Sequence, residues 1–152
     1  MIEITSKEKI ISIINIYAPH SGLTEKTPEL RDVFYEKLEE TVKTIEQTHR
    51  KKAIILIAGD FNSKIGIAPK KDDAIQTTCM GYHSRGIRNE NGRALIDFCE
   101  MNNMYITNSR FKHPAKHQTT WVGHRNINGQ KRIIYNMIDY ILGEKKMHQP
   151  VH

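Results

Sequence analysis

The sequence predicts an α/β sandwich whose sheets are mixed rather than all parallel, on three observations. Segments of strand character are interspersed with two amphipathic helical stretches along the chain. One short run, Ala53–Ala58, is wholly apolar and reads as a central buried strand. Two polar connections, Ser6–Lys9 and Asn126–Gly129, suit hairpins, which put antiparallel neighbours into a sheet. The 152 residues fit one domain, 1–152, long enough to bury a core.

Taken in order, Ile2–Thr5 and Ile10–Tyr17 read as the first two strands. In the second, Ile11, Ile13, Asn15 and Tyr17 share one face and Ile10, Ser12, Ile14 and Ile16 the other. Both faces are largely apolar, which predicts a strand inside a sheet covered on both sides. Thr27-Pro28-Glu29 offers a hydroxyl cap, a proline for the first helical position and an acid for the first turn. Leu30, Val33, Phe34, Leu38, Val42 and Ile45 follow at helical spacing, predicting an amphipathic helix to about His49 with that stripe in the core. Lys64–Arg88 is polar with scattered Gly and Pro, and reads as a long loop. A second helix is predicted over Asn91–Asn103 with Ala94, Leu95, Phe98 and Cys99 inward. Tyr105–Thr107, Gln118–Val122 and Ile133–Leu142 read as strands.

Composition narrows the setting. Lys and Arg number 23 against 17 acids, a net charge of +6, which suits a polyanionic partner or a solvated surface with a modest positive bias. The longest apolar run is far too short to span a bilayer, so no membrane partner is expected. The N-terminus lacks the charged-then-apolar layout of a secretory signal. Cys79 and Cys99 form no dense framework and read as reduced thiols of a nuclear or cytoplasmic protein that is not secreted. Cys79-x₃-His83 and His113-x₃-His117 could be assembled into a zinc site on paper, but a Cys-His pair with that gap is not a zinc-finger spacing, and no zinc is expected.

Chemistry concentrates at strand ends. Gly59-Asp60-Phe61-Asn62 directly follows the apolar strand, where a carboxylate is costly unless solvated or bound. Alternation along an extended chain would put Asp60 and Asn62 on one side and Phe61 in the core. A Gly-Asp turn with a local side-chain cap fits those four residues as well. Tyr17 places a phenol just before the break at Pro19. Asp139 is an acid inside the apolar run Met137–Leu142, needing a cation, a histidine or water, or else lying at an edge.

In this order the segments resemble the endonuclease/exonuclease/phosphatase superfamily, most nearly the apurinic-type endonucleases of LINE-type retrotransposons and craniofacial development protein-like sequences. The resemblance rests on Asn15–Pro19, Ile57–Asn62, Asn91-Gly92 with Leu95 and Phe98-Cys99, Thr120-Trp121, and Ile138–Leu142. It implies a four-layer sandwich of two mixed sheets flanked by helices, and a Mg²⁺-dependent phosphodiesterase acting on DNA. By resemblance Asp60 is the general base or water-orienting acid, and Asn62 holds the scissile phosphate or its water. Tyr17 donates to a phosphate oxygen and Asp139 orients a catalytic histidine. Asn15 and Trp121 belong to the substrate groove, although Trp121 reads equally as a core aromatic. Asp60 and Asn62 would hold Mg²⁺, or Mn²⁺ in its place, weakly.

The sequence also departs from that pattern. The family has a metal-binding Glu before its Asn-x-Tyr-Ala-Pro segment and a Ser-Asp-His near its close; neither has a counterpart here, and Met137 stands where a Gln is usual. The expectation is an incomplete domain that keeps the fold, binds DNA non-specifically and does not turn over. The alternative is a non-catalytic, retrotransposon-derived nucleic-acid-binding or interaction module. Either way, Tyr17, Asp60, Asn62 and Asp139 are expected to converge at one end of the sandwich.

Overall fold

Strands β2 (Ile10–Tyr17) and β3 (Ala53–Asp60) run parallel, joined by the crossover helix α1 (Thr27–Thr48). In the computed structural model, which describes residues 1–7, 9–20, 27–50, 52–67 and 78–148, this pair anchors a five-stranded mixed sheet. Its order is β1 (Ile2–Thr5), β2, β3, β7 (Asp139–Glu144) and β4 (Met104–Ile106). Only the β2–β3 pairing is parallel; the other three are antiparallel. A second helix, α2 (Glu90–Met101), precedes β4, and β5 (Trp121–Ile127) with β6 (Gln130–Asn136) forms a separate two-stranded antiparallel ribbon. The described residues thus form an α/β fold with two sheets and two α-helices, both sheets open, consistent with an incomplete sandwich.

The core lies between the helices and one face of the large sheet. Ile14, Ile55, Ile57, Tyr140 and Leu142 project from that face, and Leu38, Val42 and Ile45 from α1 and Leu95 and Phe98 from α2 meet them. Tyr35 and Phe98 join the helices, with ring centroids 5.5 Å apart. Leu95, Ile57 and Leu142 are fully buried, and each contributes about 2 kcal/mol or more by leaving water. Leu30 and Val33, expected in the α1 stripe, are instead exposed, so the buried stripe of α1 begins further along the helix, at Leu38. Ala94 is only half-buried, at the rim of a groove between the helices.

The opposite face of the sheet corrects a second expectation. β2 is interior to the sheet, but only its Ser12 and Ile14 are buried; Ile11 and Ile13 are half-buried, and Asn15 and Tyr17 exposed. Ile2, Ile4 and Ile141 share that open face and are exposed too. Among the described residues nothing covers this side, so apolar residues on both faces of a strand did not mean layers on both.

The ribbon turn follows its local chemistry. Ile127 pairs with Gln130, leaving Asn128-Gly129 as a two-residue turn with φ of 50° and 77°, the left-handed values that such hairpins need. The predicted strand Ile133–Leu142 is two strands. Asn136 ends β6, buried Met137 and Ile138 cross between sheets, and Asp139 begins β7. Gln118 closes a 3₁₀ turn (Ala115–Gln118) instead of opening a strand. The loop Lys64–Arg88 has no helix or strand where described, yet Ile65 near its start and Cys79 further along are fully buried in the core. Residues 68–77 of it lie outside the described residues.

Candidate functional site

Register brings the predicted residues together. Tyr17 pairs with Asp60 across the parallel β2–β3 ladder, and Asp60 pairs with Asp139 across the antiparallel β3–β7 ladder. Residues paired this way carry their side chains on one face. Tyr17, Asp60 and Asp139 therefore form one lateral row at the end of the sheet, on its open face. Asn15 stands two residues behind Tyr17 on that face, beside Ala58.

Local bonding makes the row. Gly59 has a φ of 144°, and a Cβ there would collide with the carbonyl oxygen of Ile16, so only glycine lets β3 run this close to β2 just before Asp60. The Ala18 N–H donates to the Asp60 carbonyl at 2.8 Å, and the Phe61 N–H to the Ile138 carbonyl at 2.9 Å. Phe61 turns inward as expected and lies 6.0 Å, ring to ring, from Tyr140. The Tyr140 hydroxyl donates to the carbonyls of Met137 and Ser63, and burial holds its ionisation well above the usual tyrosine range.

Asn62 departs from the alternation predicted for it. Its φ of 47° lies in the left-handed region, so the chain has left the strand and forms a turn instead. The Asn62 N–H donates to Asp60 Oδ1 at 2.8 Å, and the Asn62 side-chain Nδ2 donates to the Ala18 carbonyl at 2.7 Å. The two residues adjoin through this turn, and the local cap and the shared site turn out to be one structure. Asn91 braces it from α2, donating Nδ2 to the carbonyls of Pro19 and Asn62. Asn89 accepts both from the Lys64 N–H and, as the α2 cap, from the Gly92 N–H.

Beside the row lies a cleft of about 250 Å³ lined by His20, Asn62, Lys64, Trp121, Asn136 and Ile138. Trp121 is 43% exposed, which settles its two readings against the core. Its ring lies across Gly123, where any side chain would displace it. His20 Nε2 is 2.8 Å from the Tyr17 hydroxyl. Thr120 Oγ1 accepts from the N–H groups of Ile138 and Asp139, tying the ribbon to the start of β7. His20, Lys64, Asn91 and Asn136 were not singled out as site residues from sequence. Asn91 alone had a signal, within the Asn-Gly pair opening α2; the others become neighbours only through the fold.

The Asp139 carboxylate has no hydrogen-bond partner among the described residues, a histidine included. Mg²⁺ keeps several waters and commonly takes one or two protein oxygens besides those of its substrate. Asp60, with one oxygen capped by Asn62, and the Asn62 side-chain oxygen, which accepts no bond from the described residues, fit such a sparse shell. No three His, Cys, Asp or Glu side chains converge to hold a metal among the described residues. Cys79 and Cys99 are both free and buried, and burial beside Cys79 holds the Cys99 thiol well above its usual range.

The surroundings are basic. From Glu100 to Asp139 the chain has no Asp or Glu between them, while Arg110, Lys112, Lys116, Arg125, Lys131 and Arg132 fall inside that stretch. Arg125 and Arg132 face each other directly across the ribbon. Like charges so placed repel, and nothing in the ribbon offsets them. Arg85 anchors the foot of the ribbon, donating to the Ala115 carbonyl and Thr119 Oγ1 and lying over the Tyr135 ring.

Among curated proteins, craniofacial development protein 2 of Bos taurus is 30% identical over 141 residues, 93% of this chain and 21% of that protein. Craniofacial development protein 2 of Tragulus javanicus matches to the same extent. No family model matches the chain, and no solved structure does. The chain spans about a fifth of the length of these relatives and is homologous, over nearly all of its own length, to a segment of craniofacial development protein 2.

Proposed function

We propose that the chain carries the phosphate-gripping part of a metal-dependent phosphodiesterase site of the endonuclease/exonuclease/phosphatase type, that it binds DNA, and that the 152-residue chain does not turn over. The observation that carries this reading is the lateral row Tyr17–Asp60–Asp139, with Asn62 capping Asp60. A structural role alone gives no reason to put two carboxylates opposite each other on an open sheet face. In this reading Asp60 occupies the position that, in a complete site, would orient the attacking water and accept its proton, while Asn62 and Tyr17 offer hydrogen bonds to the phosphate oxygens. Mg²⁺, held weakly by Asp60 and Asn62, would polarise the phosphoryl oxygen. The acid-free run and the paired arginines of the ribbon supply the field that draws in a polyanion.

Two measurements test it. Fluorescence anisotropy with a short DNA duplex should give binding that weakens steeply as salt rises, because each phosphate contact releases counterions. Arg125→Gln with Arg132→Gln should reduce the salt slope by about 2. Plasmid nicking with Mg²⁺ or Mn²⁺ should stay at background; nicking abolished by Asp60→Ala would overturn the claim of inactivity. An absence of duplex binding at low salt would remove DNA as the partner.

A second reading, a non-catalytic nucleic-acid-binding module, is favoured by one observation: no three metal-ligating side chains converge among the described residues. A melting temperature that rises with Mg²⁺ in the unmodified chain but not in Asp60→Asn separates the two, since only the first gives Asp60 a metal to hold.

A further inference from the structure

The open face of the large sheet is polarised from end to end. Its middle is apolar: alternation along β2 and β3 brings Ile11, Ile13, Ile54 and Leu56 onto it. Ile2 and Ile4 of β1 and Ile141 of β7 extend that middle and are 66%, 53% and 48% exposed. One end carries the carboxylates of Asp60 and Asp139. At the other end Lys9 and Lys52, both exposed, immediately precede the paired residues Ile10 and Ala53. The Ser6 N–H donates to the Lys9 carbonyl at 2.8 Å, which continues the β1–β2 ladder through Lys9. The same alternation therefore puts both lysines on the open face. Neither they nor the two aspartates make an ion pair among the described residues. The spacing is also symmetric. Lys52 and Asp60 stand four residues either side of Leu56, Lys9 and Tyr17 four either side of Ile13, and Ile13 pairs with Leu56.

We propose that this face binds a second copy of the chain, face to face, about a two-fold axis that passes over Ile13 and Leu56. Rotation about an axis lying across the strands reverses their direction, so the acidic end of each copy meets the basic end of the other. Asp60 of one copy then lies over the Lys9–Lys52 end of the second, and the two apolar middles meet in the aligned packing that sets sheets about 10 Å apart. The face is complementary to itself, which a surface made for an unrelated partner has no reason to be. Strands of three to eight residues, at about 3.3 Å per residue and about 4.8 Å between strands, give a face of roughly 450 Å². That is large for a patch left open on a monomer and small for an interface, so the dimer is weak and forms at micromolar concentration. The charge pairing acts only between copies; in a dilute monomer Asp60 and Asp139 still face each other without a cation. The dimer does not rest on the phosphodiesterase reading, although it covers Tyr17 and Asp60 and so competes with any ligand of the row.

Sedimentation equilibrium of the full chain in low salt, from about 1 to about 200 µM, should show a mass rising from that of one chain towards that of two. Ile141→Lys puts a charge into the apolar middle and should weaken the dimer by about tenfold or more, because the two-fold repeats the change. Lys52→Glu and Asp60→Lys should each do the same, since either sets like charges against each other twice. Mixing these two variants should recover the dimer, because every contact then joins opposite charges; a variant that has merely lost its fold is not rescued in this way. Circular dichroism checks that each is folded. Lys9→Glu added to Lys52→Glu gives a second route that leaves Asp60 intact, and should keep the chain monomeric throughout. Arg132→Gln, on the ribbon, should change nothing. A chain that stays monomeric at every concentration overturns the proposal. So does a dimer indifferent to both Ile141→Lys and Lys52→Glu, whichever other surface then holds it, and so does a failure of rescue between two folded variants. Duplex anisotropy on the unmodified chain separates this claim from the DNA reading. DNA binding without a dimer sinks the dimer alone, and a dimer without DNA binding sinks the DNA reading alone.

Discussion

Asp60 and Asp139 face each other as directly paired residues of the antiparallel β3–β7 ladder, both half-buried on the open face of the sheet. Like charges in that position repel, at roughly 0.2–1 kcal/mol for a cross-strand pair. Asp139→Asn should therefore raise stability by about 0.5 kcal/mol in metal-free buffer. A urea midpoint that moves upward while the slope stays constant is the expected result; a fall would mean that the carboxylate is held by a cation or donor.

Gly59 is where β3 comes closest to β2. Its φ of 144° and the Ile16 carbonyl both exclude a Cβ. Gly59→Ala should cost about 2–4 kcal/mol, combining backbone strain with a forced shift of β2. The same denaturant titration measures it, and a change below 1 kcal/mol would show that the strand end relaxes freely.

Glu144 is a buried acid with structural work of its own. Its Oε2 accepts from the Ile55 N–H at 2.8 Å, and Oε1 lies 2.7 Å from Lys146 Nζ. Glu144→Ala strands a backbone donor in the sheet and should destabilise by about 1–3 kcal/mol. Glu144→Gln keeps an acceptor and should cost clearly less. Equal losses would mean that the charge, rather than the hydrogen bond, matters.

Glu100 governs part of the acid stability. Burial pushes its carboxyl upward, but hydrogen bonds from Thr78, Lys145 and the Cys79 N–H outweigh that, and the group titrates below the ordinary value of 4.5. A carboxyl depressed in the folded state contributes stability that is fully present above its unfolded value and is lost as pH falls through the folded one. Stability should thus decline below about pH 4.5, and Glu100→Gln should flatten that decline. Chemical denaturation at steps between neutral pH and about pH 3 reads the slope; an unchanged slope would place acid sensitivity elsewhere, Glu3 with its His49 and Ser12 bonds being the next candidate.

Local patterns in the chain determined a good deal. The wholly apolar run of β3, the Thr-Pro-Glu start of α1 and the Asn-Gly turn of the ribbon each depend on neighbours in sequence, so each was legible there. The motifs also placed Tyr17 and Asp60 at strand ends, whereas Asp139 read as the interior of a strand and in fact begins β7. What the sequence could not carry was pairing. Whether Asp139 lies beside Asp60 or on the far face is a matter of register, and a slip of one residue would reverse it. The same limit hid the open face of β2, because apolar residues on both sides of a strand do not say which layers exist to cover them. It hid the cleft entirely: His20, Lys64, Trp121 and Asn136 come from separate segments and have no shared spacing to read. They meet only because the turn at Asn62, braced by Asn91 from α2, and the crossing from β6 to β7 bring separate stretches of backbone to one end of the sheet. Side-chain chemistry was thus written along the chain, while its concentration in one place was decided by long-range hydrogen bonding.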